Sequence, residues 1–148
     1  MNRFVSRAFL IGLAVLMMSG LAIAKAPKEY KVGAVFSVTG RASFLGDPEK
    51  KTAEMVVEQI NQAGGINGVP LKLIVYDDEG DATKCNLHVK KLINRDKVTV
   101  VIGPSISGLS LAVIPVFEQN KTPLVSCAAS YKIVHNAKTG KPVLTSPN

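Results

Sequence analysis

The chain has 148 residues, 47% of them hydrophobic, and 18 lysines and arginines against 11 acids give it a formal charge of +7. That is enough apolar sequence for one domain with its own core. The basic residues are scattered, or sit among acids on predicted helices (Lys50 and Lys51, Lys90 and Lys91), so there is no basic stripe with interleaved aromatics and no nucleic-acid surface is predicted.

The first residues read as a targeting segment. Arg3 and Arg7 give a positive start, residues 8–18 are apolar throughout, and Ala22-Ile23-Ala24 is a small-x-small cleavage site. The apolar stretch, residues 8–24, falls short of the roughly 20 residues of a membrane span. The sequence therefore predicts a signal peptide over residues 1–24, cut after Ala24, and a folded domain over residues 25–148. No cysteine stands at the cleavage site to carry a lipid anchor. Cys85 falls on a predicted helix face and Cys127 in a loop at a strand end, so two separate thiols are expected rather than a disulfide.

Taken in order, residues 29–38 hold a first strand with Tyr30, Val32, Ala34, Val35 and Phe36 as its apolar set. Asp47-Pro48-Glu49 reads as a helix start, with a cap residue, a proline in the first turn and an acid near the positive end of the dipole. Ala53, Val56, Val57 and Ile60 form that helix's apolar stripe, and Gly64-Gly65 ends it. Asn67-Gly68 suits a turn at positive φ. Residues 71–76 form a second strand, ending in Asp77-Asp78-Glu79-Gly80. Asp81 caps a helix over residues 82–95 whose stripe is Ala82, Cys85, Val89, Leu92 and Ile93.

Residues 98–130 are the stretch around which the rest is organised. The β-branched run at residues 98–102 suits a parallel strand covered on both faces. Gly103-Pro104 stops it, and Ser105 or Ser107 is placed to cap the next helix. Leu109, Ala112, Val113, Val116 and Phe117 recur at helical spacing. Pro115 should kink this helix, and Asn120 is its expected left-handed stop. Leu124-Val125 is a short fourth strand, followed by a small-residue loop at residues 126–130. Residues 142–145 read as the start of a further strand, so the sequence looks truncated. Strands alternating with helices predict an α/β fold: a Rossmann-like parallel sheet with helices on both faces. The loops after Gly103 and Val125 then lie at the carboxyl end of the sheet, where backbone N–H groups can receive a carboxylate.

Other chemistries find little support. Gly103 to Gly108 is neither a dinucleotide fingerprint nor a Walker loop, so no cofactor is expected. Asp77, Asp78, Glu79 and Asp81 lack the calcium-hand spacing and read as caps and dipole partners, so no metal is expected. Serines 105, 107, 110, 126 and 130 lie in no Gly-x-Ser-x-Gly elbow, and no histidine and acid stand ready to activate one. His88 and His135 read as ordinary surface residues. No catalytic residue is assigned.

Thr39-Gly40, the run Ala42-Ser43-Phe44-Leu45-Gly46-Asp47-Pro48-Glu49-Lys50-Lys51, Ile60-Asn61, and Ala63-Gly64-Gly65-Ile66-Asn67-Gly68 resemble the exported solute-binding proteins of branched-chain amino acid ABC transporters. So do Tyr76-Asp77-Asp78, Val101-Ile102-Gly103-Pro104 and the loop at residues 126–130. The resemblance covers essentially all of the mature chain. It implies the first of two Rossmann-like lobes that close on a ligand, with a periplasmic location and a membrane permease as partner. By position it implies that Ser107 donates its hydroxyl to the ligand carboxylate and Ala128 offers its backbone, its carbonyl going to the ammonium. It also implies that Ser130 gives a hydroxyl and an N–H, with Ala129 between these two, and that Phe44 backs the cleft. Arg41 stands where the family has a proline, Gly80 and Ile106 where some members have a disulfide, and Cys127 where proline or alanine is common. The implied function is capture of a branched-chain amino acid or similar small carboxylate for uptake. A ligand-binding sensor of the same fold and a truncated, non-binding fragment remain as alternatives; an enzyme on this fold is the weakest.

Overall fold

The computed structural model describes residues 27–135. The predicted signal peptide and the strand expected at residues 142–145 lie outside the described residues. Four strands, β1 (Tyr30–Phe36), β2 (Leu71–Asp77), β3 (Val100–Ile102) and β4 (Leu124–Val125), form one sheet in the order β2-β1-β3-β4. Every neighbouring pair is parallel. Three helices connect them: α1 (Ser43–Gln62), α2 (Ala82–Lys91), which passes into a single π-helical turn (Leu92–Asp96), and α3 (Ser107–Asn120). A 3₁₀ turn, Tyr131–Ile133, follows β4.

The register sorts the side chains. Gly33, Ile74 and Val101 share one face, as do Val35 and Tyr76, while Val32, Leu73 and Val100 lie on the other with Ala34, Val75 and Ile102. The first face carries the core: Val35 and Val101 pack with Cys85, Val89 and Leu92 of α2 and its π turn and with Leu109, Val113 and Phe117 of α3. α1 covers β1 and β2 from the opposite side. The sheet therefore has helices on both faces, as the alternation of strands and helices predicts.

Several boundaries differ from expectation for physical reasons. α1 begins at Ser43 instead of Asp47, its N-cap Ala42 makes no side-chain bond, and Asp47 lies inside, paired with Lys51 at 2.6 Å. Pro48, beyond the first turn, has no N–H to give the Phe44 carbonyl, so the helix runs back past the expected cap despite it. The stripe of α1 is Ala53, Val57 and Ile60, half-buried, while Val56 is exposed. Ala82 on α2 and Ala112 on α3 are exposed, and Ser110 is fully buried in their stead on the α3 face. α3 runs on through Pro115, and its left-handed stop is Lys121 (φ 50°), one residue beyond Asn120. Asp81 caps α2 as expected, accepting the Lys84 N–H at 2.8 Å. Neither histidine is an ordinary exposed residue: His88 is half-buried and stacked on Tyr76 with ring centroids 4.9 Å apart, and His135 stacks on Tyr131 at 3.7 Å.

Candidate functional site at the strand tips

In the strand order, β1 and β3 are neighbours whose following helices, α1 and α3, pack on opposite faces of the sheet. A crevice opens at such a crossover, outside the carboxyl ends of the strands. Phe44 follows β1, Ser107 follows β3, and Ala128, Ala129 and Ser130 follow β4, so topology gathers all five predicted residues at this end. Phe44, in the first turn of α1, is 74% exposed.

Ser107 is the first residue of α3. Neither Ser105 nor Ser107 caps the helix: the N-cap is Ile106, and no side chain bonds the first turn. The first intrahelical bond in that turn is Ser110 N–H to the Ile106 carbonyl at 3.1 Å. The N–H groups of Ser107, Gly108 and Leu109 therefore face outward at the positive end of the helix, beside the Ser107 hydroxyl. That arrangement attracts a small anion without using a cationic side chain.

The β4 loop is folded by its own serines and by Ser110 of α3. The Ser110 and Ser126 hydroxyls lie 2.8 Å apart, and Ser126 Oγ accepts the Ala128 N–H at 3.2 Å. Ser130 Oγ accepts the Lys132 N–H at 3.4 Å. The Ala128 N–H is thus used internally, by the Ser126 hydroxyl.

The tips themselves are laced together by side chains that the sequence reading treated as caps or loop residues. Asp77 accepts from the N–H groups of Val38 (2.9 Å), Thr39 (3.2 Å) and Glu79 (2.9 Å), and from the Thr39 hydroxyl (2.7 Å). Burial pushes the Asp77 carboxyl up, but these hydrogen bonds outweigh it and hold the group below its usual range. Asp78, fully buried, accepts from the Ser37 hydroxyl (2.6 Å) and the Gly80 N–H (2.8 Å). Ser105 Oγ accepts the Ser37 N–H at 3.1 Å and donates to the Glu49 carboxylate. Gly103, at φ 99°, sits so close to β1 that an added Cβ would lie 2.0 Å from the Val35 carbonyl oxygen. Ser37, Glu49 and the pairing of Ser110 with Ser126 were not legible as a network, because each bond spans sequence-distant elements.

Both cysteines are free thiols, Cys85 buried and Cys127 exposed. Burial, then the neighbouring Asp78, pushes the Cys85 thiol up to about 12. Burial, then Glu49, raises Cys127 as well, against an opposing hydrogen bond from the Gly103 backbone. Neither is an activated nucleophile. Among the described residues no group of three histidines, cysteines and acids is arranged to hold a metal, and no helix is long and apolar enough to cross a membrane. A shallow, open groove between α1 and β2, lined by Val57, Asn61, Leu73 and Val75 with Glu54 and Glu58, lies on the flank of the lobe.

Comparison with known proteins agrees with the fold. The family model described as "Periplasmic binding protein" matches residues 29–148. The Leu/Ile/Val-binding protein of Escherichia coli is 31% identical over 84% of the chain and 33% of its own length. The leucine-, isoleucine-, valine-, threonine- and alanine-binding protein of Pseudomonas aeruginosa is 31% identical over 68% of the chain and 26% of its own length. Among solved structures, the branched-chain amino acid transporter substrate binding protein LivJ of Streptococcus pneumoniae, in complex with isoleucine, superposes with a TM-score of 0.70. It is 29% identical, over 72% of this chain and 31% of that one. The chain thus spans about a third or less of the length of these relatives. With the fold, the match over residues 29–148 and these likenesses together, the chain belongs to the periplasmic binding protein family, beside its branched-chain amino acid binding members.

Proposed function

We propose that the chain is a ligand-binding lobe of an exported solute-binding protein that captures leucine, isoleucine, valine or a similar small carboxylate and hands it to a membrane permease. The observation that carries this reading is the uncapped first turn of α3, with Ser107 beside it, opening at the crossover between β1 and β3. The ligand carboxylate would take the Ser107 hydroxyl and the outward N–H groups of that turn. The Ala128 carbonyl and the Ser130 hydroxyl would meet the ammonium end, with Ala129 and Phe44 flanking the apolar part. The names of the most similar relatives support branched-chain amino acids as the first ligands to try. Export with cleavage after Ala24, and an ABC permease as partner, belong to the same reading. The chemistry is capture, with no bond made or broken.

The described residues offer one wall, so a ligand resting on it keeps much of its surface in water and its affinity is low. Titration of the ¹⁵N-labelled chain with leucine, isoleucine and valine into the tens of millimolar tests the reading. Amide shifts confined to the first turn of α3 and residues 126–130 are expected, at millimolar affinity. No shift at either place with any of the three overturns it, and micromolar or tighter binding would show that one wall suffices.

A further inference from the structure

We propose that Glu49 is the positioning residue of the strand-tip site: by accepting a hydrogen bond from the Ser105 hydroxyl it sets the turn between β3 and α3, and with it Ser107 and the open first turn of α3. The second half of this role rests on the ligand-binding reading above, whereas holding the turn does not.

Glu49 lies on the face of α1 that meets the sheet. Gly46, three residues earlier and so on the same side of the helix, is buried, and an added Cβ there would lie 2.2 Å from the Ser37 carbonyl oxygen. This close approach of α1 to the end of β1 delivers the Glu49 carboxylate to Ser105, across 56 residues of sequence. Ser105 is 4% exposed and Ser37 is fully buried. A hydroxyl carries one proton, so the acceptor of that proton decides where its lone pairs point. With Glu49 as acceptor, a lone pair of Ser105 is aimed at the Ser37 N–H, a buried donor that is costly to leave unpaired. Ser37 is also tied through its own hydroxyl to Asp78. The tips of β1, β2 and β3 thereby form one hydrogen-bonded unit, and Ser107 stands two residues beyond its last member. The upward push that Glu49 exerts on the Cys127 thiol places the same carboxylate near the β4 loop as well.

The test compares Glu49→Ala and Glu49→Gln in the full chain, by amide hydrogen exchange and by leucine titration. The expected result is exchange about tenfold faster at Ser37 and Ser110 in Glu49→Ala, as for loss of one buried hydrogen bond, with Val101 in the sheet unchanged. Leucine affinity should fall by a similar factor, and Glu49→Gln, whose amide oxygen still accepts, should recover most of both. Unchanged exchange at Ser37 and Ser110 overturns the proposal, as does uniform acceleration that includes Val101, which would make Glu49 a stabilising residue only. Local acceleration with unaltered leucine affinity overturns its role in the site. Should the parent chain bind no leucine, the ligand reading fails by itself and the exchange pattern alone decides for or against Glu49. If Glu49→Ala does not fold, Glu49→Asp, one methylene too short to reach Ser105, replaces it under the same criteria.

Discussion

Two thiols in one small domain report on opposite environments. Cys85 is sealed in the core beside Asp78 with its thiol pushed up to about 12, whereas Cys127 is exposed and raised mainly by partial burial and Glu49. Alkylation proceeds through the thiolate, so access and charge act independently. Iodoacetamide at pH 8 should modify Cys127 slowly and Cys85 only after unfolding in denaturant, as read by peptide mass spectrometry. Removing the negative charge in Glu49→Gln lowers the Cys127 value and should speed its alkylation a few-fold. An unaltered rate would mean that Glu49 does not face the thiol. The sequence made both cysteines separate thiols by their positions on a helix face and in a loop. It held no sign of Glu49, because an acid near the start of a helix has an ordinary reading as a dipole partner.

Among the elements, strands and helices were legible wherever one period dominated. The β-branched run does form a strand, though a shorter one than residues 98–102, and Cys85 and Val89 of α2 with Leu92 of the π turn form the buried stripe expected, since covering rewards regular apolar spacing. The start of α1 was misread because Asp47-Pro48 imitates a cap so well, while the actual cap, Ala42, carries no signal at all. The outer edge of β2 shows what pattern reading cannot reach. Asn61, at the end of α1, donates to the Leu71 carbonyl at 2.9 Å and accepts the Leu71 N–H at 2.8 Å, acting as a one-residue strand on an open edge. Such edges are prone to pair with other chains unless covered. Asn61→Ala should cost about 1 kcal/mol in urea unfolding, since both bonds are exposed and water replaces them in part. Exchange at the Leu71 amide should rise with it. A midpoint and a Leu71 rate equal to the parent's would show that the edge does not need the staple.

For the molecule as a whole, acid is the condition that separates the lacing of the strand tips from the packing of the core. Asp77 joins the loop after β1 to the end of β2 through three donors on Val38 and Thr39, and these, with the local Glu79 N–H, hold its carboxyl below the usual value in the folded state. A group depressed in this way binds fewer protons folded than unfolded. Its stabilisation is therefore complete above the unfolded value, about pH 4, and is lost as pH falls through the lower, folded value. Below that point Thr39 and Val38 lose a charged acceptor and the loop is released from β2. The chain's formal charge of +7 adds to the effect, because protonating the acids leaves the basic residues repelling one another. That repulsion is common to the parent and to Asp77→Asn, whose amide oxygen still accepts but does not titrate. Stability measured by denaturant unfolding between pH 7 and pH 2 should fall more steeply below pH 4 in the parent, while Asp77→Asn starts lower at neutral pH and declines less. The core side chains Val35, Val89, Val101 and Phe117 carry no group that titrates in acid, and this packing should keep the secondary structure to lower pH than the tips keep their order. Two curves that run parallel throughout would mean that Asp77 gains its hydrogen bonds at no depression of its carboxyl, and the acid sensitivity would then belong to other residues.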